Sequence, residues 1–153
     1  MKQRLVMLLC LTATWLAKGQ GWVHNGAHVV ATNGTFIVIN GAQGNYKAQS
    51  VSRLIFNGDV ELSYTGNWIN NSLGAIFMTN DGRVILKGAA QSFLGTSTTA
   101  FPSLDLKCSV NPTMQTNILV GGGHKGGGTG KLNLFDRQLN LNGKKLIINN
   151  RSE

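Results

Sequence analysis

From residue 26 onward the chain alternates apolar and polar positions in short runs, each closed by Asn, Asp or Gly. "NGTFIVIN" (33–40), "NGDVELSY" (57–64) and "DGRVILKG" (81–88) share a turn pair followed by apolar residues two apart: Phe36 and Val38, Val60 and Leu62, Val84 and Leu86. A period of two marks strands, and the Asn-Gly or Asp-Gly pair supplies the positive-φ corner between them. Helical spacing is missing beyond residue 20, so nothing helical competes.

The runs also repeat. Gly34, Gly58 and Gly82 are equally spaced along the chain. "GAHVVATNG" (26–34) is echoed two such intervals later by "GAIFMTNDG" (74–82), and "GNYKAQ" (44–49) a little under one interval later by "GNWINN" (66–71). A period in the twenties with strand alternation predicts an all-β fold, a right-handed parallel β-helix or β-solenoid. One coil alone leaves its inward Val, Ile, Leu and Phe uncovered; stacking covers them. An antiparallel β-sandwich turning on Asn-Gly hairpins is the alternative, but a hairpin sheet need not keep a constant interval.

The first nineteen residues read differently. Lys2 and Arg4 precede "LVMLLCLTATWLA" (5–17), a run of thirteen residues, apolar but for Thr12 and Thr14, too short to span a bilayer and suited to a signal-peptide core. Ala17 and Gly19 stand at the −3 and −1 positions of a cleavage site before Gln20. The expected organisation is a signal peptide over 1–19 and a β-solenoid repeat domain over 20–153, exported and without stable membrane insertion. Removal of the leader takes three of the fourteen basic residues, so eleven face six acids and the charge falls from +8 to +5. The remaining basic residues are scattered and form no stripe with aromatics, which argues against nucleic acid as a partner. Cys10 leaves with the leader, and Cys108 in "LDLKC" reads as a buried strand residue with no disulfide partner.

Candidate chemistry is thin. In "GGGHKGGGTGK" (121–131) the phosphate-loop pattern fails twice, with Lys125 where its first Gly belongs and Leu132 where Ser or Thr belongs. The expectation is a solvated loop bulging from a rung, with His124 and Lys125 at its tip. His24 and His28 are four apart across an Asn-Gly turn, and without a helix that spacing gives no metal site. The acids Asp59, Glu61, Asp81, Asp105, Asp136 and Glu153 supply no evident catalytic pair, and the interval between the repeat glycines places Asp59 level with Arg83 on neighbouring rungs. Tyr46 and Trp68 occupy matching places in "GNY" and "GNW". Facing inward they are core; facing outward they form a weak glycan-binding strip.

From "GAAQSFLGTSTTAFPSLDL" onward the chain resembles repeats of large secreted and surface-displayed proteins of Bacteroidetes. The resemblance runs through Gly88, Gln91, Gly95, Phe101, Leu104 and Leu106. It continues through Gly130, Leu132, Leu134, Leu139, Leu141, Asn142, Gly143, Leu146, Ile148 and Asn149. It implies a parallel β-helix at the outer surface of a Gram-negative bacterium, and it carries no catalytic residues and no cofactor. Such relatives are long and often end in a sorting domain, so the expectation is a chain truncated at its C-terminus or the first segment of a larger protein. The function expected is a non-catalytic structural or adhesive segment, its partners cell-surface glycans or further repeats of the same protein. The alternative is a carbohydrate-binding or polysaccharide-degrading β-helix whose active part is missing.

Overall fold

The structure, a computed structural model, describes residues 21–40, 44–79, 81–89, 91–121 and 130–149. The expected signal peptide and the centre of the glycine stretch, with His124 and Lys125, lie outside these residues. Among the described residues there are fifteen strands and no helix. The first turn of chain holds β1 (Trp22–Asn25), β2 (His28–Thr32) and β3 (Phe36–Ile39). The second holds β4 (Tyr46–Ser50), β5 (Arg53–Asn57) and β6 (Glu61–Tyr64). The third holds β7 (Trp68–Ser72) and β8 (Arg83–Gly88), with Phe77 bridged to Leu54 in place of a middle strand. The fourth holds β9 (Ser92–Gly95), β10 (Thr99–Phe101) and β11 (Leu104–Cys108). The fifth holds β12 (Thr113–Met114), β13 (Ile118–Val120) and β14 (Leu132–Asn133), and β15 (Leu146–Ile148) begins another.

Each strand pairs in parallel with its counterpart one turn away, giving sheets β1-β4-β7-β9-β12 and β3-β6-β8-β11-β14 and the shorter β2-β5 and β10-β13-β15. The fold is a stacked β-solenoid of about five turns. No described pair is antiparallel, so the sandwich alternative does not form.

The alternation becomes columns of side chains, though in the first turn its phase is corrected by one residue: Ile37 and Ile39 face inward, while Phe36 and Val38, aligned by their turn pair with Val84 and Leu86, are exposed. Ile37, Leu62, Val84, Leu104 and Leu132 stand above one another on the inner wall, as do Ile39, Tyr64, Leu86 and Leu106. On the facing wall Tyr46, Trp68, Phe93 and Met114 stack in the same way and are all fully buried. Each such side chain withdrawn from water contributes roughly 1.5–3 kcal/mol, and only the next turn can withdraw it.

The register is less regular than the repeat suggests. Along the column from Ile37 to Leu62, Val84, Leu104 and Leu132 the steps are unequal, the last being the longest and the one before it the shortest. Strands must match from turn to turn, whereas corners absorb extra or missing residues. The equivalence of Asp59 and Arg83 is therefore corrected: Glu61 pairs with Arg83, and their side chains meet at 3.0 Å. Gly34, Gly58 and Gly82 do occupy one corner in three successive turns, all at positive φ. They lie two, three and one residues before Phe36, Glu61 and Arg83, which are themselves in line.

Asparagine does more than turn the chain. The side-chain carbonyl of Asn33 accepts the N–H of Asp59 (2.9 Å), Asn45 that of Asn67 (2.6 Å) and Asn67 that of Ser92 (2.8 Å). Asn71 accepts from Thr96 at 3.1 Å, Asn111 from Gln138 at 3.0 Å and Asn117 from Lys145 at 2.9 Å. Each bond runs from a corner to the next turn, satisfying an N–H that no strand ladder reaches.

Both the corners and the core can be probed by substitution. At Gly82 (φ +79°) an added Cβ would lie 2.7 Å from the Val60 carbonyl oxygen, whereas at Gly34 (φ +80°) it would meet nothing within 4 Å. Gly34→Ala should cost about 1–2 kcal/mol, the strain of the left-handed conformation alone, and Gly82→Ala clearly more. Urea titration of both variants checks the order; equal losses would mean that the corner opens to make room. Tyr64 is fully buried, and among the described residues its hydroxyl has no hydrogen-bond partner. Tyr64→Phe should thus be neutral or stabilising by up to about 1 kcal/mol, and a loss of that size would show the hydroxyl to be bonded.

Candidate functional site

The aromatic residues converge inside the solenoid. Tyr46 and Trp68 stack with ring centroids 4.1 Å apart and planes 17° apart, and both are fully buried. Trp68 also lies against Phe77 and Phe101, at 5.8 and 5.0 Å, while Trp22 meets Tyr46 edge-on at 5.4 Å. The Trp68 indole N–H donates to the Thr99 hydroxyl (2.9 Å), which also accepts from the Asn70 side-chain amide (3.0 Å). Neither Tyr46 nor Trp68 offers a ring face to solvent, so the pair is core and not an exposed platform for sugar rings.

His24 belongs to the same interior. The Ala27 carbonyl can only accept, so Nε2 of His24 carries the proton and donates to it at 2.8 Å. Nδ1 is then free to accept the Tyr46 hydroxyl, also at 2.8 Å. Burial pushes the imidazole below its usual value; the Ala27 bond opposes this in part, and neighbouring His28 adds to it. His28 points outward and is exposed, so the two histidines do not converge. Among the described residues no group of three His, Cys, Asp or Glu side chains comes together as a metal site would need.

Cys108 is buried on the inner wall, as its strand position implies, and burial pushes its thiol up, away from nucleophilic use. The neighbouring Tyr64 hydroxyl is pushed well up by burial first and by Cys108 second.

Charge gathers on the outer face of the β3-β6-β8-β11-β14 sheet. Glu61 bridges Arg83 and, at 3.7 Å, Lys87. Ser63 and Ile85 lie between Glu61 and Lys87 and point outward, yet both are buried. Asp105, level with Ile85 on the next turn, is buried as well. Lys107 stands over the Phe135 ring at 5.0 Å. One shallow depression, with a volume of ≈ 210 Å³, is lined by Asp59, Arg83, Ser103, Asp105, Lys131 and Asn133. It brings together Asp59 and Asp105, two acids that the sequence interval left apart. Asp105 is buried and accepts from the Asn133 amide at 2.5 Å, Arg83 is held by Glu61, and Asp59 is exposed in its turn. Acid–base work on a glycosidic bond needs two carboxyls facing each other across a bound ring. Here each charged group is committed to a neighbour or to open solvent.

The glycine stretch has described ends. Gly121 and Gly130 meet so closely that a Cβ on Gly130 would collide with the Gly121 backbone. The excursion between them leaves and re-enters the wall at one point, beneath the Phe101 carbonyl that accepts the Gly121 N–H at 2.9 Å. Glycine at both ends answers this close backbone approach.

No family model, curated protein or solved structure matches the chain.

The buried His24 makes stability depend on pH. Its folded pKa lies below the unfolded value of 6.5, so the unfolded chain takes up the proton first. The contribution is intact above 6.5 and falls away as pH drops from there through the folded value. Melting temperatures followed from about pH 8 to about pH 5 should fall more steeply for the native chain than for His24→Asn. Equal slopes would remove His24 as the cause.

Proposed function

We propose that this chain is an exported, non-catalytic structural or adhesive segment of a cell-surface protein, in which the solenoid acts as a stiff spacer. One observation carries the reading: most side-chain hydrogen bonds among the described residues run from one turn to the next, and fewer, such as His24 to Ala27 and Gln91 to Lys87, stay within a turn. The corner asparagines, the Glu61–Arg83 pair and the Ser50–Asn25 and Ser52–His24 bonds all run vertically, between turns. Such a rod gains length by adding turns, each needing only its nearest neighbour. The resemblance to surface-displayed repeats and the leader over 1–19 support an address outside the cell. The glycan alternative loses its aromatic strip, since Tyr46 and Trp68 are inside.

Cell fractionation with intact-mass analysis tests the reading. The expected result is a chain beginning at Gln20 on the cell surface or in the medium; an intact chain beginning at Met1 inside the cell would overturn it. The purified chain should also leave a panel of acidic and neutral polysaccharides uncleaved. A new reducing or unsaturated end would move it to the enzymes.

A further inference from the structure

The first turn differs from those above it. Four of its outward side chains are large and apolar, Val23, Val30, Phe36 and Val38, at 56, 59, 71 and 58 % exposed, beside the exposed but uncharged Asn25 and Thr32 and the exposed His28. The neighbours of those four one turn up are Lys47, Ile55, Glu61 and Ser63, mostly polar. Its inward residues Trp22, Val29 and Ile37 are only partly buried, because no described turn lies beneath them. Among the described residues strands β1, β2 and β3 each pair on one side alone, so three backbone edges face the same direction. Beside them is an open cavity of ≈ 360 Å³ lined by Gly21, Trp22, Ile37, Val38, Ile39 and Asn40.

Exposed edges are ordinarily guarded by lysine, proline or inward-pointing charge. Residues 21–40 contain no Lys, Arg, Asp, Glu or Pro. The opposite end is guarded: Lys131, Asp136, Arg137, Lys144 and Lys145 flank β14 and β15. Two copies meeting by their last turns would oppose like charges, whereas two first turns carry no fixed charge to repel each other. Cleavage after Gly19 leaves Gln20 alone ahead of Gly21, too little chain to cover three strands.

We propose that the first turn is a homodimer interface, in which a second copy of this chain, turned over about a two-fold axis, sets its own β1–β3 edges against these. The proposal rests on the leader reading. The strands meet antiparallel across the axis, the half-open inner wall closes on its counterpart, and the four outward apolar side chains meet four more. Contact of the same patch with itself closes the assembly at two, whereas first turn on last turn would grow open filaments.

The test uses the chain expressed with its own leader, with intact mass and light scattering measured on the same sample over a dilution series. The expected result is a chain beginning at Gln20 with twice the chain mass. Phe36→Lys and Val30→Lys lie on the outer side, so circular dichroism should be unchanged while each raises the dimer dissociation constant about tenfold or more. Leu73→Lys, on an outward residue 85 % exposed in the third turn, should leave the dimer as it is. A cleaved chain that stays monomeric overturns the pairing but not the leader, and a mass that grows without limit overturns the two-fold geometry. A monomer still carrying residues 1–19 overturns both. An uncleaved dimer broken by Phe36→Lys upholds the pairing and overturns the leader alone.

Discussion

A single turn of this chain cannot cover its own inner wall or pair its own backbone edges, and the rest of the structure is arranged around that constraint. Strands in one turn are separated by corners and do not pair with each other; their hydrogen bonds run to the turns before and after. Burial follows the same direction. Trp68 is stacked on Tyr46 from the turn before and covered by Phe101 from the turn after, with Tyr64 and Phe77 closing its sides. Hydrophobic burial and backbone pairing are thereby satisfied in one step, by placing one more coil on the stack.

The same constraint explains why the interval varies while the columns hold. No two successive steps along Trp22, Tyr46, Trp68, Phe93 and Met114 are of equal length, yet the five side chains stay in line. A slip of one residue inside a strand would turn every inward side chain out, a cost of several kcal/mol per strand. An added residue at a corner costs only the closure of a slightly longer loop. The Gly121–Gly130 junction is the extreme case, where the wall resumes beside the point at which it was left.

The fold class was legible because strand alternation and turn residues are local signals, and because the echo of "GNY" in "GNW" is the true step between Tyr46 and Trp68. Register was not legible as a whole. Gly34, Gly58 and Gly82 report where the chain turns, and a corner of variable length separates the turn from the strand after it. The vertical bonds of Asn33, Asn45, Asn67 and Asn71 were hidden for a related reason. An asparagine that caps its own turn and one that reaches the next turn have the same place in the sequence. The contacts of Glu61 with Arg83 and Lys87 are pairings across turns with no signature along the chain. Of the candidate site, the equivalence of Tyr46 and Trp68 put the two rings on one side of the wall but left open which side, and the meeting of Asp59 with Asp105 in one depression needed the register.

Because each turn is held by its neighbours, stability is distributed along the axis rather than shared evenly. The second to fourth turns have a covered wall on both sides and hold the fully buried Phe56, Tyr64, Trp68, Phe93 and Phe101. The first turn and the one begun by β15 have a neighbour on one side only among the described residues, and their inward Val29, Ile37, Leu139 and Leu146 stay partly open. Local opening in such a stack starts at its ends and works inward, since an end turn gives up one interface and an inner turn two.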